Sequence, residues 1–175
     1  MEEIDKKERK NIYKILLGGL VFLVVFCIFI WSGYKMKPVK FNEYLSLNSS
    51  DIKFCIDSQK YNEKDQTILI DGWSIKEGAS IESFKCNVLL KTIKDNSYIQ
   101  IPTKLVNRKD VTEAFNEKGV NYDNCGFQAK VDISQLDESI DNYEINIYYR
   151  NNDENILIST DTILSKGEND ERDKK

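Results

Sequence analysis

The chain has 175 residues, with 25 Lys and Arg against 29 Asp and Glu, giving a formal net charge of −4. That balance lacks the basic excess a nucleic-acid partner needs. Histidine is absent, which excludes Ser-His-Asp and Cys-His catalysis, His-bearing zinc sites and a histidine pH switch.

Residues 1–14 form a basic tail carrying Lys6, Lys7, Arg9, Lys10 and Lys14. From Ile15 to Tyr34 no residue carries a charge, and a helix of about 20 residues spans about 30 Å, the hydrocarbon thickness of a bilayer. Tyr13 at one end, and Trp31 and Tyr34 at the other, suit the aromatic belts of the two interfaces. A cleavage site needs small residues just after the apolar run, and Ile30 and Trp31 occupy those places. Residues 15–34 therefore read as an uncleaved signal anchor. Lys35, Lys37 and Lys40 are fewer than the basic residues before the span, so the N-terminus is expected in the cytoplasm and the larger part outside.

Residues 35–47 read as a juxtamembrane stalk, with Pro38 opposing continuation of the helix. Residues 48–164 carry the alternation of half-buried strands. Ile52, Phe54 and Ile56 alternate with polar residues, and Thr67 to Ile75 reads as a strand interrupted by a bulge or turn at Asp71-Gly72. Phe84, Cys86, Val88 and Leu90 alternate until Leu89 blurs the pattern, and Tyr98 to Val106 follows, confined to an edge or bulge by Pro102. Phe127, Ala129, Val131 and Ile133, then Tyr143, Ile145, Ile147 and Tyr149, then Ile156, Ile158 and Thr160 complete the series, the last two joined by a hairpin through Asn151–Asn155. The prediction is all-β: an antiparallel, Ig-like sandwich of seven to eight strands. Asp110 to Phe115 breaks the pattern. Asp110 followed by Glu113 suits a capping box, giving one helical turn that directs Val111, Ala114 and Phe115 onto the sandwich. Residues 165–175 hold no apolar side chain and are expected to be disordered.

Candidate chemistry is sparse. Cys55, Cys86 and Cys125 fall in the outer domain; three reduced thiols are the simplest reading, and a Cys86–Cys125 bridge is the alternative. The carboxylates sit mainly in turns such as Asp137-Glu138, where solvation accounts for them better than the facing pair a hydrolase needs. Asn121, Asp123 and Asn124, and the Asn151–Asn155 loop, lack a full calcium-loop spacing and read as turn chemistry. No cofactor is implied. Two aromatics are candidates for stacking on a sugar. Trp73 is first of all a core tryptophan, whereas Tyr148 points opposite to the Tyr143, Ile145, Ile147 and Tyr149 face.

The order Asp71-Gly72-Trp73, Arg108-Lys109-Asp110-Val111 with Phe115, Gly126-Phe127 and Tyr143-Glu144-Ile145 resembles an extracytoplasmic β-sandwich module of bacterial membrane proteins tied to surface-polysaccharide synthesis and other envelope work. It covers about residues 65 to 150 and brings no catalytic residue with it. Arg108 and Asp110 are expected to hold the turn before the helix, by a charge-assisted bond or by capping, while Phe127 and Tyr143 are expected in the core. With the anchor read above, the resemblance implies a single-pass protein displaying a non-catalytic extracellular module of the cell envelope, with a surface glycan or another envelope membrane protein as partner. An exposed aromatic platform favours the glycan, and an apolar patch or open strand edge favours a protein.

Overall fold

A computed structural model describes residues 2–33, 35–39, 46–47, 51–81, 83–115, 119–152 and 154–169. Tyr34, Asp153 and residues 170–175, on which some of the expectations above fall, lie outside the described residues. The chain divides into two units, Met1–Lys35 and Met36–Lys175.

The first unit is one helix, α1 (Glu2–Gly33). Its stretch Lys10–Ile30 is long and apolar enough to cross a membrane, and none of it is buried. Leu, Val, Ile and Phe side chains project all round it, Phe22 and Phe29 with more than two thirds of their surface exposed. A helix apolar on every side needs an apolar surrounding.

The second unit is built from β1 (Lys37–Val39), β2 (Ser46–Leu47), β3 (Ile52–Asn62), β4 (Thr67–Lys76), β5 (Phe84–Thr92), β6 (Tyr98–Gln100), β7 (Thr103–Val106), a short α2 (Lys109–Phe115), β8 (Gly126–Asp132), β9 (Tyr143–Asn151), β10 (Glu154–Ile163) and β11 (Glu168–Asn169). Among the described residues one sheet has the order β1-β6-β5-β9-β10-β2 and the other β11-β3-β4-β8-β7. Pairing is antiparallel throughout, except that β2 runs parallel to β10 and β11 parallel to β3.

The alternation read from the sequence sets the inner faces. Ile68 and Ile70 of β4 and Phe127, Ala129 and Val131 of β8 meet Val88 and Leu90 of β5 and Ile145, Ile147 and Tyr149 of β9 in one core. Each of the Ile, Val, Leu and Phe side chains contributes roughly 1.5–3 kcal/mol when removed from water. A second cluster of Ile75, Val111, Tyr122 and Cys125, joined by Trp73 and Phe115, forms where α2 covers the five-stranded sheet.

Several boundaries differ from the sequence reading. The expected stalk supplies β1 and β2, on opposite edges of the six-stranded sheet. The expected disordered tail supplies β11, and Ser165 N–H donates to Gln59 Oε1 at 2.8 Å. The single strand expected from Tyr98 to Val106 is two, one in each sheet, because Pro102 lacks the donor a continuous ladder requires. β4 runs unbroken through Asp71-Gly72; the register shift lies opposite, between Ile56 and Ser58 of β3. Leu89, which blurred the alternation, is buried although it points away from the inter-sheet core.

Candidate functional site

Beyond β7 the chain turns into α2, and Arg108 crosses back over the outer face of the five-stranded sheet. Its Nε donates to Asp110 Oδ1 at 2.9 Å and its Nη2 to Asp110 Oδ2 at 2.6 Å, a two-pronged charge-assisted contact. Its Nη1 donates to Asp57, the residue at the β3 register shift. The Arg108 side chain is mostly buried, its Asp57 partner about one-third exposed and Asp110 largely exposed. The bonds from Arg108 hold the Asp110 carboxyl below its ordinary range, and the same bonds raise the Arg108 guanidinium. Asp110 is not the expected cap. The helix begins at Lys109, so Asp110 lies inside its first turn and its carboxylate is taken by Arg108.

Two glycines make this arrangement possible. A β-carbon on Gly126 would lie 2.5 Å from Arg108 Cγ and 2.6 Å from the Val106 carbonyl oxygen; one on Gly72 would lie 2.6 Å from the Phe127 ring and 2.4 Å from the Cys55 carbonyl oxygen. Gly72 thus gives room to Phe127, and Gly126 to the stem of Arg108. Trp73 packs its ring 5.3 Å from that of Phe115, and Val111 is buried beside them. The motif residues from β4, β8 and α2 therefore form one connected set. Thr112 secures the following loop by donating to Asp123 Oδ1 at 2.7 Å and accepting the Tyr122 N–H at 2.9 Å, while Asn121 Oδ1 accepts the Asp123 N–H at 2.7 Å. Of the oxygens considered for calcium, Asn121 Oδ1 and Asp123 Oδ1 are taken by these local bonds.

The aromatic candidates do not meet. Trp73 lies on the outward side of the five-stranded sheet, half-buried, and not in the inter-sheet core. Tyr148 lies half-buried on the outward side of the six-stranded sheet, and its hydroxyl donates to Asn155 Oδ1 at 2.8 Å. The sandwich separates them, so no shared platform exists. Phe127 and Tyr143 are buried in the core, and the Tyr143 hydroxyl accepts the Glu138 N–H at 3.2 Å.

The Cys86–Cys125 bridge is not formed; all four cysteines are free. Cys86 belongs to the inter-sheet core and Cys125 to the outer cluster. Ser74 stands between, its Oγ 3.8 Å from Cys86 Sγ and its N–H on the Cys125 carbonyl at 3.2 Å. Burial pushes both thiols up to about 12.

At one pole of the domain, the β5–β6 turn and the loop 133–139 enclose a cleft of about 400 Å³, with Met36 and Pro38 on one wall. Lys94 Nζ donates to Glu138 Oε1 across it at 2.9 Å, and Asp95 accepts the Ser97 N–H at 2.9 Å. Gln135 Oε1 accepts the Met36 N–H at 3.2 Å, fastening the segment ahead of β1 to the cleft.

No family model, curated protein or solved structure matches the chain.

Two features escaped the sequence reading. Asp57 sits at a polar position of an alternating strand, and nothing local marks it as the partner of a residue 51 positions away. The cleft is assembled from three separate segments, of which only the Lys94–Ser97 turn carries a local signal.

Proposed function

We propose that this chain is a single-pass membrane protein with a cytoplasmic N-terminus, displaying an Ig-like, non-catalytic β-sandwich outside a bacterial cell. There it serves as an accessory or binding module in cell-envelope, surface-glycan work. The observation that carries the reading is the helix Lys10–Ile30, apolar on every side and unburied, followed within a few residues by a β-domain whose own apolar side chains are mostly enclosed. The excess of basic residues ahead of the span supports the orientation. Arg108, Asp110, Gly126 and Phe127 are read as maintaining the fold, since Arg108 bonds Asp110 and packs against Gly126 while Phe127 is buried.

A substituted cysteine tests the topology. Lys130, with its side chain about half exposed, becomes Cys in a Cys55→Ser background, and intact cells are treated with a membrane-impermeant maleimide. Labelling of intact cells agrees with the proposal; labelling only after lysis overturns it. Intact mass tests the anchor, since a mature N-terminus at Gly33 or Tyr34 would mean a cleaved signal. Binding of the purified full chain to an array of envelope polysaccharides tests the glycan role.

One observation favours a protein partner instead. β7 closes the five-stranded sheet with a row of edge backbone groups and leaves Leu105 about half exposed, a surface suited to strand addition. Co-purification of a membrane protein that is lost on Leu105→Asp, without polysaccharide binding, would establish that alternative.

A further inference from the structure

We propose that the cleft between the β5–β6 turn and the loop 133–139 binds a neutral hexosyl unit carried as a glycolipid headgroup. The inference rests on the anchored reading above and adds to it a site, a ligand chemistry and a ligand source.

Size comes first. At about 400 Å³ the cleft stands near the small end of the range of ligand pockets, about 300–1,000 Å³, which suits one or two sugar rings. Its charge then selects against anions. Lys94 is spent on Glu138, so among the described residues the lining itself presents Asp95 and Asp137 with no other cation to offset them. Such a lining does not favour a phosphate or an acidic polymer. It suits a neutral sugar, because the sugar's hydroxyls donate to carboxylates. Asp137 is exposed and accepts no hydrogen bond among the described residues. Met36, Pro38 and the half-buried ring of Tyr98 add apolar surface, which matches the C–H face of a pyranose. The cleft thus combines acceptors, apolar contact and negative charge, whereas an acidic cluster alone would offer only the last.

Source follows from chain connectivity. Met36 and Pro38, both lining the cleft, come three and five residues after Gly33, the last residue of α1. Three residues reach at most about 10 Å. In the anchored reading this short link keeps the domain at the membrane, so a headgroup in that membrane meets the site at high effective concentration and modest intrinsic affinity suffices.

The test uses the full chain reconstituted in phosphatidylcholine vesicles, read by hydrogen–deuterium exchange over residues 92–99 and 133–139. One sample contains diglucosyl diacylglycerol, another free gentiobiose, another oligolysine, and a fourth phosphatidylglycerol. With the glycolipid at ten times its Kd, exchange in both segments is expected to slow about tenfold. Asp137→Ala is expected to abolish that protection, and Lys130→Ala, on β8 outside the cleft lining, to retain it. Protection by glycolipid, with or without protection by the free disaccharide, supports the proposal. Protection by the free disaccharide alone overturns the membrane source. Protection by oligolysine or phosphatidylglycerol in place of sugar, protection unaffected by Asp137→Ala, or none in any sample overturns the site. The maleimide experiment is separate: a domain facing the cytoplasm sinks the topology whatever the exchange shows.

Discussion

Replacing Gly126 by Ala tests whether the motif glycine exists to let Arg108 pass. The added methyl would stand 2.6 Å from the Val106 carbonyl oxygen and 2.5 Å from Arg108 Cγ, both well inside ordinary contact distances of about 3.5–4.0 Å. The carbonyl belongs to the β7–β8 ladder and yields only if the edge strand shifts. The arginine stem yields by swinging away, which breaks its bonds to Asp110 and Asp57. Overpacking of this kind costs typically about 1–3 kcal/mol. For a domain of this size that lowers Tm by about 3–10 °C. Thermal unfolding of the full chain in detergent, followed by near-ultraviolet circular dichroism, measures the loss. The same substitution in an Arg108→Ala background removes one of the two clashes and should cost distinctly less, leaving a coupling energy between the sites of at least about 0.5 kcal/mol. An unchanged Tm for Gly126→Ala, or identical losses in the two backgrounds, would refute this account of the glycine.

Other expectations concern titration, thiols and one hydroxyl. Burial alone would raise the Glu144 carboxyl, but Ser159 and Lys91 outweigh it; Asp132 is lowered chiefly by Ser134 and Asp110 chiefly by Arg108. A carboxyl lowered in the folded state adds stability above its unfolded value, about 3.9 for Asp and 4.3 for Glu, that is lost as pH falls through the folded value. Tm should therefore hold between pH 7 and pH 5 and decline below about 4; a Tm that rises on acidification would contradict the assignment. In the folded domain a thiol reagent at pH 8 should modify half-exposed Cys55 ahead of Cys86 and Cys125, which are buried and pushed up to about 12. A non-reducing peptide map showing a Cys86–Cys125 bridge would overturn that order. Tyr148→Phe removes the bond to Asn155 and should cost about 0.5–1.5 kcal/mol in a melting experiment; a gain in stability would show that the hydroxyl is not satisfied there.

The strands whose two faces differ were readable because alternation and burial are two aspects of one fact. Val88-Leu89-Leu90 is instructive: Leu89 looked like noise, yet it is buried on the outward side. The edge strands left no such trace. β1, β2 and β11 are two or three residues long and are defined by which neighbour's ladder they meet, which short composition does not encode. A glycine inside a strand suggests a bulge or a close approach, and Gly72 has both: the register shift of β3 lies opposite it, and Phe127 approaches it closely. For the site, Arg108 and Asp110 were legible as neighbours in sequence, whereas Asp57 and the walls of the cleft depend on long-range register.

The short strands at the margins have a consequence for crowding. Unpaired strand edges are templates for association with further chains, and copies confined to one membrane encounter each other more often than copies free in solution. Among the described residues, three of the four sheet margins are closed by β1, β2 and β11, the segments that carry the chain in from the helix and out towards its last residues. Each offers an incoming strand too few backbone groups to extend a sheet. Connecting chain thus doubles as a hem, and removing β2 or β11 would leave β10 or β3 as longer margins on which neighbouring copies could pair.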